Sequence, residues 1–217
     1  MYILCFRSKE LSLRIDTGRF LPTWGVVKRA LHISLPMGLQ QTIMCSAYVM
    51  TTIIIAPLGT FAIAANSFGV IVESLCYMPG YGIADAATTL VGQSIGAGRH
   101  ELMKRFAWLS VGLGVTVMAV MGVVMYVGAP VAMAMMTPAE EVRRLGVEVL
   151  RIEAFAEPMF AAAIVSYGVF VGAAKTLVPS IMNLVSIWGV RISLAALLAP
   201  SMGLRGVWIA MCIELCF

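Results

Sequence analysis

Apolar residues run in long blocks near 31–56, 61–90, 106–129, 148–172 and 177–199, and a sixth block begins near 204. A helix rises about 1.5 Å per residue, so each of the first five is long enough to cross a hydrocarbon layer of roughly 30 Å. The sixth offers 14 residues to Phe217, about 21 Å, which is short of a full crossing. The pattern predicts an all-α integral membrane protein, a six-helix transmembrane bundle over 31–217 with its last helix truncated. Residues 1–30 read as a polar cytoplasmic connection, and "MYILCF" at its start as the tail of a preceding helix.

Composition sharpens this picture. Sixty per cent of residues are hydrophobic and 12% charged, with a mean hydropathy of +0.93. Soluble domains carry roughly a quarter charged residues. The net charge of +4 suggests no nucleic-acid partner, because the basic residues are sorted between apolar blocks. Ten lie on one set of connections: Arg7, Lys9, Arg14, Arg19, Lys28 and Arg29 before the first block, Arg99, Lys104 and Arg105 after the second, and Lys175 after the fourth. The opposite set has only Arg143, Arg144, Arg151 and Arg205, diluted by Glu140, Glu141 and Glu148. Lys and Arg are retained in the cytoplasm, so 1–30 is expected inside a bacterial inner membrane, with Trp24 and Trp108 as anchors at the inner boundary.

The stretch "GYGIADAATTLVGQSIGAGR" at 80–99 has the glycine content of a phosphate loop. A phosphate site needs amides converging at a helix start, with a G-x-G-x-x-G or G-x-x-x-x-G-K-[ST] spacing. Here Gly92, Gly96 and Gly98 stand at the end of an apolar helix before Arg99, where the helix dipole repels anions. Glycines four apart allow close helix packing, and a glycine past the last turn takes a left-handed cap. The fourth block ends alike: Gly168, Gly172, Ala173, Ala174 and Lys175 repeat the pattern of Gly92, Gly96, Ala97, Gly98 and Arg99. Such repetition hints at the internal repeats of transporters. In the middle of the second block Pro79, Gly80 and Gly82 predict a helix break, either a cavity wall or a kink that improves packing.

Ionisable residues in hydrocarbon are costly, so each is a candidate for function. Glu153 and Glu157 lie four apart on one helix face, and Pro158 weakens the backbone ladder beside them. Arg191 falls near the middle of the fifth block and needs a carboxylate or water; Glu157 is the expected partner. Glu73 and Asp85 flank Pro79. Each of these four acids is a candidate for cation or proton coupling by alternating between neutral and charged forms. Structural roles fit them too: Glu153 at an interface, Arg191 as a bridge, Asp85 as a brace beside Thr88 and Thr89. Gln40, Gln41, Asn66 and Asn183 suit either a cavity lining or hydrogen-bonded helix packing. Sixteen methionines, among them Met133, Met135 and Met136, fit an adaptable surface or lipid-facing filler. His32 and His100 have no partner at ligand spacing, and no nucleophile motif is visible. The sequence therefore predicts no metal site, catalytic residue or cofactor.

"MPGYGIADAATTLVGQSIGAGR", "SLPMGLQQ" at the first block, "GVFVGAAKTLVPS" at the fourth exit and "GLRGVW" near the end together resemble the carboxy-terminal lobe of a multidrug and toxic compound extrusion (MATE) transporter. The resemblance covers essentially the whole chain. It implies helices seven to twelve of a twelve-helix exporter, an amino-terminal lobe as partner, and efflux of amphipathic, often cationic small molecules across the lipid bilayer by antiport with H⁺ or Na⁺. In the NorM-type branch the first helix of this lobe has a glutamate about two turns after its proline and the fourth an aspartate, both tied to cation coupling. Here "PMGLQQTIMCSAY" from Pro36 has no acid, which moves the expectation from a NorM-style Na⁺ site toward protons or an acid in the other lobe. A lipid-linked sugar flippase of the same superfold and a non-transporting half-size membrane protein are the alternatives.

Overall fold

The computed structural model describes residues 23–216; residues 1–22, most of the expected cytoplasmic connection, and the Gln40 side chain lie outside the described residues. Contacts divide the chain into Met1–Ser34 and Leu35–Phe217, and the account that follows concerns the second unit.

The described residues are helical throughout, with no strand. Helix α1 spans Trp24–Ile55 and passes through a short 3-10 turn, Ala56–Leu58, into α2, Thr60–Gly96. α3 is His100–Met136. α4, Glu140–Glu153, and α5, Glu157–Gly172, are the two halves of one span, bent by 59°. α6, Leu177–Val185, continues through a π-helical segment, Ser186–Ile192, into α7, Ser193–Met202. α8 is Leu204–Cys216. Four helical stretches are long and apolar enough to cross a membrane, five if the bent pair counts as one span. α8 has 13 residues and does not reach that length.

α2 is the spine. From Ala62 to Ser94 its buried positions recur at steps of three or four, the period of one helix face, and the residues are mostly small. Three apolar clusters use that face. The first gathers Ala65 with Val149 of α4 and Trp208 of α8, the second Val72 with Met125 and Met133 of α3 and Leu150 of α4, and the third Ala87 with Val165 of α5. Met118, Met125 and Met133 are buried while Met135 is exposed, so the α3 methionines divide between core and surface.

The expected break at Pro79 is not there: α2 continues through Pro79 for its full 37 residues. Gly80 packs where an added Cβ would meet the Met118 sulfur at 3.2 Å, and Gly82 faces open space. A proline removes one ladder hydrogen bond, and continuous packing on both sides outweighs that loss. The chain breaks instead just before Pro158, and its helical winding changes at Ser186–Ile192.

Glycine brings α2 and α5 into backbone contact. A Cβ on Gly168 would lie 2.6 Å from the Ala84 carbonyl oxygen and one on Gly172 2.5 Å from that of Thr88. The Thr88 hydroxyl donates to the Gly168 carbonyl at 2.8 Å. Gly92 faces Gly172 at ordinary contact distance, whereas Gly96 faces open space, so a packing role for Gly96 is corrected.

Both helices end on the same hydrogen bonds. The Arg99 amide donates to the Ser94 carbonyl at 2.9 Å and Gly98 to Ile95 at 2.9 Å; Lys175 donates to Phe170 at 3.0 Å and Ala174 to Val171 at 2.9 Å. The capping residue is left-handed in each, φ 70° at Gly98 and 55° at Ala174. A Cβ in that conformation costs roughly 1–2 kcal/mol. Ala174→Gly is therefore expected to stabilise the protein by about 1 kcal/mol and Gly98→Ala to destabilise it comparably, read from thermal unfolding in detergent. Equal midpoints for wild type and Ala174→Gly would refute the assignment of strain.

Candidate functional site

The site is built around the α4–α5 bend. Pro158 supplies no amide, and the ladder closes before it with short turns: the Ala156 amide donates to the Glu153 carbonyl at 2.8 Å and Phe155 to Ile152 at 3.4 Å. Irregular backbone at membrane depth needs enclosure by protein, and α3 provides it. A Cβ on Gly122 would sit 2.7 Å from the Ala154 carbonyl oxygen, so only glycine lets α3 approach this closely.

That enclosure buries two carboxylates on either side of the bend. Glu153, the last residue of α4, and Glu157, the first of α5, are each 2% exposed. Glu153 accepts a hydrogen bond from the Cys212 thiol of α8, Sγ to Oε2, at 3.2 Å. Neither oxygen of Glu157 has a hydrogen-bond partner among the described residues. Half-buried Glu73 of α2 lies within electrostatic reach of both, and of Arg191.

Arg191 occupies the π-helical segment, and its partner is not Glu157. Its Nε lies 3.5 Å from Oε2 of Glu214 on α8, both side chains being largely buried. The Ser186 hydroxyl, one turn earlier in the same segment, donates to Oε1 of Glu214 at 2.9 Å. The π winding thus presents Ser186 and Arg191 to one carboxylate. The expected Glu157–Arg191 pair is corrected accordingly: the guanidinium is anchored to an acid near the chain end that sequence reasoning had not singled out.

The remaining candidates are dispersed. Asp85 is exposed and twelve residues beyond Glu73, about 18 Å along the same helix. Asn66 accepts from the Trp208 indole N–H at 3.1 Å and ties α2 to α8. Gln41 is exposed. Asn183 lines a largely apolar cavity of about 190 Å³ between α1 and α6 with Leu39, Ile43 and Leu184. Three rings, Tyr77, Tyr81 and Phe160, meet edge to face with centroids 5.4–6.4 Å apart one turn from Glu73 and Glu157. Among the described residues no group of three His, Cys, Asp or Glu side chains has the geometry of a metal site.

A buried ion pair is costly to break from one side, roughly 3–5 kcal/mol, and often nearly neutral to replace whole. Arg191→Met is expected to destabilise the lobe by about 3 kcal/mol, and the Arg191→Met/Glu214→Met double variant to recover most of it, in thermal unfolding of purified protein. Additive losses in the double variant would show that the pair is not coupled.

The family model described as MatE matches residues 36–197. A "Probable multidrug resistance protein NorM" of Xylella fastidiosa is 29% identical over 197 residues, covering 90% of this chain and 42% of the relative. Another from Thermotoga maritima is 27% identical over 217 residues, covering 98% and 46%. Among solved structures, MATE in the straight conformation superposes with a TM-score of 0.87 at 19% identity over 99% of this chain and 49% of that one. The MATE transporter ClbM in complex with Rb⁺ gives 0.81 at 23% identity, covering 89% and 46%. The chain therefore spans less than half the length of these relatives and corresponds to their carboxy-terminal half. It belongs to the MATE family of multidrug efflux transporters.

Proposed function

We propose that this chain forms the carboxy-terminal lobe of a secondary active exporter and carries the step that couples efflux to H⁺ or Na⁺ entry. The observation that supports the reading is Glu157: a carboxylate 2% exposed at a backbone bend, with no hydrogen-bond donor to either oxygen among the described residues. An ionised group buried that way is expensive unless a counter-charge accompanies it. Binding a proton or small cation from one side and releasing it to the other is the simplest way to meet that cost in turn. Glu73 and Glu153 share its electrostatic field and set how much positive charge the region attracts. The acid that α1 lacks after Pro36 is supplied from α2 by Glu73. The α4–α5 bend is the moving part in this reading, since a helix already interrupted changes angle at little cost in hydrogen bonds.

The exported compounds are amphipathic and often cationic, the aromatic group of Tyr77, Tyr81 and Phe160 offering π faces near the acids. The lobe works in a bacterial inner membrane with residues 1–30 cytoplasmic, opposite an amino-terminal lobe. A sugar flippase is the less favoured reading, because the one deeply buried guanidinium singled out, that of Arg191, is already held by Glu214.

Glu157→Gln keeps the shape and removes the charge. In a two-lobe transporter carrying this lobe, dye efflux from energised cells is expected to fall roughly tenfold at equal membrane abundance. Unaltered efflux with an unaltered pH profile would remove Glu157 from the mechanism.

A further inference from the structure

A groove of about 700 Å³ lies between the last turns of α3 and one face of α4. α3 contributes an apolar wall that includes Val131 and Met135, and α4 contributes Glu140, Arg143, Arg144, Glu148 and Arg151. On α4 the positions 140, 144, 147 and 151 share one helix face by their spacing, which aligns the guanidiniums along the groove.

The charges do not balance. Arg143 pairs with Glu140. Glu148 accepts from Arg205 Nε at 2.8 Å and also carries Arg144 at 3.9 Å, so one carboxylate serves two guanidiniums. Arg151 has no carboxylate within ion-pair distance among the described residues. Instead its guanidinium carbon sits 5.1 Å over the Tyr126 ring, which meets Phe155 edge to face at 5.8 Å. The cation–π contact fixes the guanidinium and leaves its N–H fork free for an acceptor. Along the α3 side Val127, Val131 and Met135 are 65–83% exposed. In a membrane-spanning helix those side chains meet acyl chains, so the excess positive charge stands where hydrocarbon ends.

We propose that this groove binds an anionic phospholipid, its phosphate between Arg144 and Arg151 and one acyl chain along Val127, Val131 and Met135. Guanidinium forks match phosphate oxygens, and basic residues at a membrane surface select anionic headgroups. The site rests on α3 spanning the bilayer and not on the efflux reading, so its test uses no transport measurement.

The full chain is reconstituted in bilayers of equimolar phosphatidylglycerol and phosphatidylcholine, extracted in detergent, and its retained lipids are counted by native mass spectrometry. Wild type is expected to retain phosphatidylglycerol over phosphatidylcholine by roughly fivefold or more. Arg144→Gln/Arg151→Gln is expected to bring the ratio close to one, whereas Lys175→Gln, outside the groove, leaves it unchanged. Arg144→Lys/Arg151→Lys serves as the folding control and should keep the ratio above one, because the charge remains. Millimolar inorganic phosphate should not displace the lipid. Equal retention of the two lipids by wild type, an undiminished preference in the glutamine pair, loss of preference in the lysine pair, or full displacement by phosphate would each overturn the proposal.

Discussion

A backbone interruption inside hydrocarbon has no water to satisfy it, and the lobe is arranged around enclosing one. The carbonyl of Ala154 lies so close to α3 that no side chain fits at Gly122. Closing the bend in this way also closes the surroundings of Glu153 and Glu157, so the same contact that makes the fold tolerable makes the acids buried. Structure and chemistry here have one cause: a span that must break, sealed by a neighbour with no side chain to hold it off.

The same device recurs on the other side of the bent span. Gly168 and Gly172 set α5 against the backbone of α2 at Ala84 and Thr88, and Thr88 adds a hydroxyl bond to the Gly168 carbonyl. In a membrane there is little hydrophobic force to draw helices together, so close packing and interhelical hydrogen bonds do that work. α5 is thus fixed to α2 along its last turns, while its first turn, carrying Glu157, begins at the bend. One short helix is thus packed backbone to backbone at one end and begins at an interruption beside the acid at the other.

Several elements were legible because their signals are local. Block lengths gave the spans, and the paired exits at Gly98 and Ala174 follow from residues within one turn. The four-residue step from Glu153 to Glu157 predicted one helix face, and there the reading is corrected: the span breaks between them, so the two acids stand on either side of a 59° bend. Other features depend on contacts that no local pattern carries. Pro79 and Pro158 look alike in sequence, yet α2 runs through the first and the span breaks before the second; Gly122, from another helix, is part of what separates them. The π-helical segment at Ser186–Ile192 has no proline or glycine cluster to announce it. Glu214 sits in a stretch too short to read as a complete span, and only the fold brings it to Arg191.

The buried acids fall into two kinds, one paired with a guanidinium and one with no hydrogen-bond partner among the described residues. An arginine remains charged at any accessible pH, so a buried carboxylate held against it has a permanent counter-charge. Glu214 is in that position, with Ser186 donating to its second oxygen; it joins α8 to the π-helical segment as a fixed strut. Had Arg191 reached Glu157 instead, the acid at the bend would have had a fixed partner in the same way. By anchoring the guanidinium elsewhere, the fold leaves both oxygens of Glu157 without a hydrogen-bond partner among the described residues while keeping a positive charge within electrostatic reach of Glu73 and Glu153.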